Sequence, residues 1–100
     1  HPMIGVSLGS NVKQKSNFLS QTENGAIIKY LLPNGPAEKG GLKVDDLIIS
    51  INNEKISTPA DVVKKINQND LKSHLKIKIL RKNIESIKII KPIDIYDLPL

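Results

Sequence analysis

Few side chains in this sequence could do chemistry, and their spacing is the first constraint on function. The only histidines are His1, at the terminus, and His74, at the start of an alternating segment. Neither has carboxylates or a second imidazole at a metal-binding spacing. Cysteine is absent, so a disulfide framework and a thiolate metal site are both excluded. No serine stands in a Gly-x-Ser-x-Gly setting. Asp45 and Asp46 are adjacent in a turn-like stretch, which suits turn geometry better than an acid–base dyad. What remains is main-chain chemistry. The opening HPMIGVSL sets Gly5 between Ile4 and Val6. A strand start alone needs no glycine there, whereas a backbone that must approach another group closely does. The residues therefore offer no candidate catalytic group and no metal site.

The elements that would position such a site can be read from hydrophobic periodicity. Met3 to Leu8 reads as a strand, Ser10 to Asn24 as a long polar loop anchored by Phe18 and Leu19, and Ala26 to Leu32 as a second strand. Pro33-Asn34-Gly35-Pro36 is a turn cluster. Pro36 to Lys39 makes one helical turn with Pro36 at its first position, stopped by Gly40-Gly41. The run LIISI, Leu47 to Ile51, suits a strand covered on both faces, and Asn52-Asn53 tolerates the left-handed backbone of a tight turn. Glu54 to Ile56 returns as a short edge. A helix begins at Thr58, with a capping hydroxyl, Pro59 at its first position and Asp61 near the positive end of the dipole. It ends at Asn67 to Asp70. Leu75 to Leu80 alternates with Leu75, Ile77 and Ile79 inward, turns at Lys82-Asn83 and returns as Ile84 to Ile90. Residues 92–100 form a tail, with an edge strand around Ile93 to Tyr96. The order predicts an α+β fold: a small, partly open barrel or sandwich of five to six strands with one short and one longer helix.

Composition narrows the function classes. One hundred residues suit a single domain spanning 1–100 with a modest core. That core is mainly aliphatic, since sixteen residues are isoleucine and only Phe18, Tyr30 and Tyr96 are aromatic. The net charge of +5 comes from fourteen lysines and the single Arg81. The lysines are scattered, arginine forks are nearly absent and no aromatic platform interleaves with them, so nucleic acid is not an expected partner. No apolar run approaches the length of a membrane span, so direct membrane insertion is not expected, and no signal-peptide pattern is present.

Leu31 to Ile66 carries a resemblance. The block LLPNGPAEKGGLKVDDLIISINNEKISTPADVVKKI resembles the centre of a PDZ domain. Pro33, Gly35, Pro36, Ala37, Gly41, Leu42, Asp46, Ile48 and Asn52 stay in step with that family's pattern. Gly40 replaces a usual alanine, and Asp45 and Asn53 replace usual glycines; Asp45 then needs a strained or altered turn, while asparagine accepts positive φ. The opening is similar to the start of the PDZ domains that follow the protease domain in HtrA (Deg, Do-like) serine proteases, with their permuted strand order. There Ile4-Gly5-Val6 falls on the carboxylate-binding loop and Met3 stands where an aromatic is common.

The resemblance implies a peptide-binding module. Amides of Ile4, Gly5 and Val6 would hold a C-terminal carboxylate in a main-chain nest. The peptide would add as a strand along Val6, Ser7 and Leu8. Its last side chain would enter a pocket of Ile4, Val6 and the helix face Pro59, Val63 and Ile66, with Val62 turned to the core. The aliphatic lining favours Val, Ile, Leu or Ala at the ligand's end. Taken singly, Ile4, Val6, Val63 and Ile66 read equally well as core and Gly5 as a strand bulge; only their joint pattern favours a groove. The implied parent is a trypsin-like serine endopeptidase with its catalytic residues upstream, working in the periplasm or otherwise outside the cytoplasm, with membrane association only through the parent. The implied partners are hydrophobic C-termini or unfolded chains and the upstream protease domain. Alternatives are a scaffold or oligomer-contact role, in which Leu100 of one copy enters the groove of another, or a parent that is a C-terminal processing peptidase or a site-two metalloprotease.

Overall fold

The structure is a computed structural model that describes residues 2–14, 21–70 and 72–94. Its strands are β1 (Pro2–Met3), β2 (Val6–Gln14), β3 (Gln21–Leu31), β4 (Leu47–Ile51), β5 (Glu54–Lys55), β6 (Leu75–Arg81), β7 (Ile84–Ile90) and β8 (Ile93–Asp94). Two helices interrupt them, α1 (Pro36–Lys39) and α2 (Pro59–Gln68). Six strands form an antiparallel sheet in the order β2-β3-β4-β6-β7, with β5 paired to β4. β1 and β8 pair separately, joining the two ends of the described chain.

Local sequence accounts for most of these boundaries. Asn52 and Asn53 both adopt left-handed backbone, φ 53° and 67°, as do Lys82 and Asn83, φ 53° and 65°. Two successive positive φ values make the tight turn whose twist matches antiparallel strands. Asp45 also has a positive φ of 75°, the left-handed conformation that a glycine would supply, so the turn is kept and the non-glycine residue bears its strain. Thr58 and Asp61 form a reciprocal capping box at the start of α2: the Asp61 N–H donates to Thr58 Oγ1, and the Asp61 carboxylate accepts from the Thr58 N–H.

The core is aliphatic. Ile28, Ile48, Ile51, Val62, Leu75, Ile77, Ile79 and Ile90 are fully buried within it. Ile48 and Ile51 both face inward although three residues apart. The register of β4 against β6 shifts between Ile48 and Ser50, so an irregularity at Ile49 resets the alternation. LIISI is therefore not covered evenly on both faces: Leu47, Ile49 and Ser50 are only half-buried.

Two readings of the chain are corrected. Met3 to Leu8 is not one strand, because Ile4 and Gly5 break it into β1 and β2. Ser10 to Asn24 is not a long loop throughout, since β2 continues to Gln14 and β3 begins at Gln21, with Val12, Lys13 and Gln14 paired to Glu23, Thr22 and Gln21. Main-chain hydrogen bonds carry this outer part of the hairpin. They require no apolar alternation, which is why hydrophobic periodicity missed it. Phe18 and Leu19 lie outside the described residues.

Candidate peptide-binding groove

The start of β2 is an edge of the sheet, hydrogen-bonded on one side to β3 and open on the other. α2 lies alongside that open edge. Between them is a cavity of about 160 Å3 lined by Met3, Ile4, Gly5, Val6, Leu8, Val63, Ile66 and Asn67. The walls are almost wholly aliphatic, so the cavity suits one apolar side chain better than a charged one.

Gly5 shapes the near end. Its φ is +77°, and a Cβ built on it would lie 3.0 Å from Leu32 Cβ. Both facts exclude an ordinary side chain. The carbonyls on this loop are committed to the fold. Gly5 O accepts from the Leu32 N–H at 2.9 Å, and Ile4 O accepts from the Ala37 N–H at 2.8 Å. The amides of Ile4, Gly5 and Val6 donate in none of the turn and loop bonds among the described residues. Val6 pairs with Leu31 while Leu32 donates to Gly5. In an antiparallel ladder that arrangement turns the N–H of Val6 away from β3.

The far wall depends on α2. Val62 is fully buried beneath the helix, Ile66 is buried where cavity and core meet, and Val63 stands 52% exposed on the cavity side. The carboxyl of Asp61 is held below its usual range by hydrogen bonds from the Ser57 and Thr58 amides, at 2.9 and 3.1 Å, which fix the entry of the helix.

Of the residues singled out in the sequence, Met3, Ile4, Gly5, Val6, Leu8, Val63 and Ile66 come together around this one cavity. Ser7 and Pro59 do not line it. Ser7 is exposed, its side chain alternating away from Val6 and Leu8, and Pro59 opens α2 a turn before Val63. Ile4 and Ile66 belong to the core as well as to the cavity wall, so the two readings of those residues meet. Asn67 is a lining residue that the sequence reading missed; its place four after Val63 on the helix was the available signal. The proposed contact through Leu100 lies outside the described residues.

A second feature went unread in the sequence. Asp46, only 1% exposed, receives two hydrogen bonds from the Arg81 guanidinium, Nε to Oδ1 at 2.7 Å and the terminal nitrogen to Oδ2 at 2.6 Å, and a third from the Lys43 amide at 2.8 Å. Arg81 also donates to Gly41 O at 2.9 Å. The bonds to Asp46 raise the Arg81 pKa further. This ion pair ties the end of β6 to the turn before β4. It is structural, lying apart from the groove. Among the described residues, no group of three or more His, Asp or Glu side chains could hold a metal ion.

A six-stranded open antiparallel sheet with a short helix and a longer helix beside an edge strand is the PDZ architecture. The chain belongs to the PDZ domain family, whose model matches residues 27–81. Its relatives are serine proteases of the HtrA and DegP type. Serine protease Do-like HtrA of Bacillus subtilis is 34% identical over 100 residues, covering 90% of this chain and 22% of that protein. Serine protease HTRA1A of Danio rerio is 35% identical over 89 residues, covering 89% and 18%. The chain thus spans about a fifth of the length of these relatives. Among solved structures, the HtrA3 PDZ domain bound to a phage-derived ligand (FGRWV) superimposes with a TM-score of 0.73 at 18% identity, covering 92% of this chain and 85% of that one. The HtrA-type protease AlgW with a decapeptide gives 0.74 at 20% identity, covering 91% and 28%. These structural neighbours share the fold.

Proposed function

We propose that this domain captures the hydrophobic C-terminus of another polypeptide by adding it as a strand to β2. The observation that carries the reading is the open edge of β2, which faces α2 across an aliphatic cavity and begins at a glycine loop whose carbonyls are spent in the fold while its amides donate in none of the turn and loop bonds among the described residues. A terminal carboxylate leaving water needs donors, and a run of main-chain amides supplies them. Each charge-assisted bond contributes about 1.5–3 kcal/mol, and burying one aliphatic side chain contributes a further ~1.5–3 kcal/mol. Strand addition reads backbone, so selectivity comes from the cavity, which favours Val, Ile, Leu or Ala as the last residue.

The domain works within a trypsin-like serine protease and presents chain ends of substrates or regulatory partners to it. Serine protease relatives on two sides of the bacterial and animal divide support that parent. Relatives named as periplasmic, from Haemophilus influenzae and Pseudomonas putida, support a location outside the cytoplasm. The parallel titration of a peptide ending in valine and its C-terminally amidated twin tests the groove. The free acid binds and the amide loses most of the affinity. Val63→Glu, on a half-exposed helix position that leaves the core intact, removes binding of the acid. Equal affinity for acid and amide would end the carboxylate role.

A further inference from the structure

A concave surface larger than the groove lies elsewhere among the described residues. A cavity of about 560 Å3 opens between α1 and the end of β7, lined by Asn34, Pro36, Lys39, Gly40, His74, Ile89, Lys91 and Ile93. It shares no residue with the groove. Its size falls within the range of small-molecule sites. Two properties make it more than a dent. Its floor is apolar: Ile89 is 54% exposed there although it lies in a strand, and Pro36 and Ile93 flank it. Its rim carries Lys39, Lys91 and His74, with no carboxylate among the lining residues. Two other cations are paired, Arg81 with Asp46 and Lys65 with Glu54. Lys39, Lys91 and His74 make no side-chain hydrogen bond or ion pair among the described residues.

Three elements distant in sequence converge to make this pattern. Lys39 ends α1, His74 precedes β6, and Ile89 to Ile93 link β7 to β8. We infer that this cavity is a second ligand site, which binds a single-chain aliphatic carboxylate of the fatty-acid type. The chain lies on Pro36, Ile89 and Ile93, and the carboxylate is held by the ammonium groups of Lys39 and Lys91 and a ring N–H of His74. Imidazole offers such a donor in either protonation state.

The test is titration of the full chain with sodium decanoate below its micellar concentration, followed by calorimetry and amide chemical shifts. The expected result is saturable one-to-one binding, with shifts at Gly40, His74, Ile89, Lys91 and Ile93. Decanol, matched in chain but uncharged, binds at least tenfold more weakly. The double variant Lys39→Glu/Lys91→Glu loses at least tenfold in affinity, and Ile89→Asp does the same through the floor. Val63→Glu leaves decanoate binding unchanged. Non-saturable uptake, equal affinity for decanol, shifts confined to Ile4–Leu8 and Val63, or binding to phosphatidylglycerol vesicles without binding to monomeric decanoate would each overturn the inference.

Discussion

Substituting Gly5 by alanine separates backbone strain from damage to the carboxylate loop, because a second glycine supplies the control. Gly5 and Gly41 both have positive φ, +77° and +96°. Alanine in that region costs about 1–2 kcal/mol, and its stiffer unfolded chain returns about 0.4–1 kcal/mol. At Gly41 nothing else is added, since a new Cβ would meet only the flexible Lys88 side chain at 3.6 Å or more. Gly41→Ala should therefore lose about 0.5–1 kcal/mol, a fall in Tm of roughly 2–8 °C for a domain of this size. At Gly5 the new Cβ would sit 3.0 Å from Leu32 Cβ, an atom fixed to the backbone that cannot rotate aside. Overpacking of this kind adds about 1–3 kcal/mol unless the loop moves. Either outcome falls on the loop that should hold the ligand.

Loss of one charge-assisted bond at about 1.5–3 kcal/mol corresponds to roughly a 10- to 150-fold rise in peptide Kd. Thermal unfolding and peptide titration of both variants give the four numbers needed. The expectation is that Gly41→Ala softens the fold and binds peptide normally, while Gly5→Ala is less stable still and loses binding. Matching stability losses together with unchanged peptide affinity in Gly5→Ala would refute the link between this glycine and the ligand.

The remaining predictions concern the cap of α2 and the buried ion pair. Thr58→Ala removes one arm of the capping box and should cost about 1 kcal/mol in urea unfolding. The folded carboxyl of Asp61 titrates below its ordinary 3.8, so its contribution is full above that pH and fades as pH falls through the lower folded value. The stability gap between the wild type and Asp61→Asn should accordingly be open at pH 7 and close in acid; a gap independent of pH would count against the capping bonds. Arg81→Leu strands the buried Asp46 carboxylate with only the Lys43 amide and should destabilise more than Thr58→Ala. Adding Asp46→Leu should recover part of that loss, and a strictly additive double variant would contradict the pairing.

Signals written within a few residues were legible in the sequence. Pro36 and Gly40 bound α1, Thr58 and Asp61 start α2, and Asn52-Asn53 and Lys82-Asn83 make their turns, because each depends on local dihedral preference or a short hydrogen bond. Features that depend on distant partners were not. Arg81 and Asp46 are 35 residues apart, and nothing in either neighbourhood announces the other. The outer hairpin of β2 and β3 is joined by backbone pairing, which needs no apolar alternation in the sequence. The groove lies between these cases. Gly5 was visible as an anomaly, Val63 and Ile66 as helix positions, and the resemblance joined them; the place of Asn67 beside them and of Pro59 beyond the cavity emerges only in the fold.

What prepares the loop for a ligand is the disposition of its carbonyls. A flexible apolar-Gly-apolar segment would have to order its amides on binding, and that ordering would cost part of the interaction energy. Here the Ile4 carbonyl is held by α1 through Ala37 and the Gly5 carbonyl by Leu32 at the end of β3. Each peptide plane is rigid, so fixing an oxygen fixes the N–H of the next residue. The plane whose oxygen belongs to Ile4 carries the Gly5 amide, and the plane whose oxygen belongs to Gly5 carries the Val6 amide. Two bonds inside the fold therefore aim two donors before any carboxylate arrives. Ile4, buried at 1% exposure, anchors the segment to the core, and Gly5 supplies the left-handed turn that lets both planes point as they do. On the proposed reading, a domain with a small aliphatic core would thereby present preorganised main-chain donors to a terminal carboxylate.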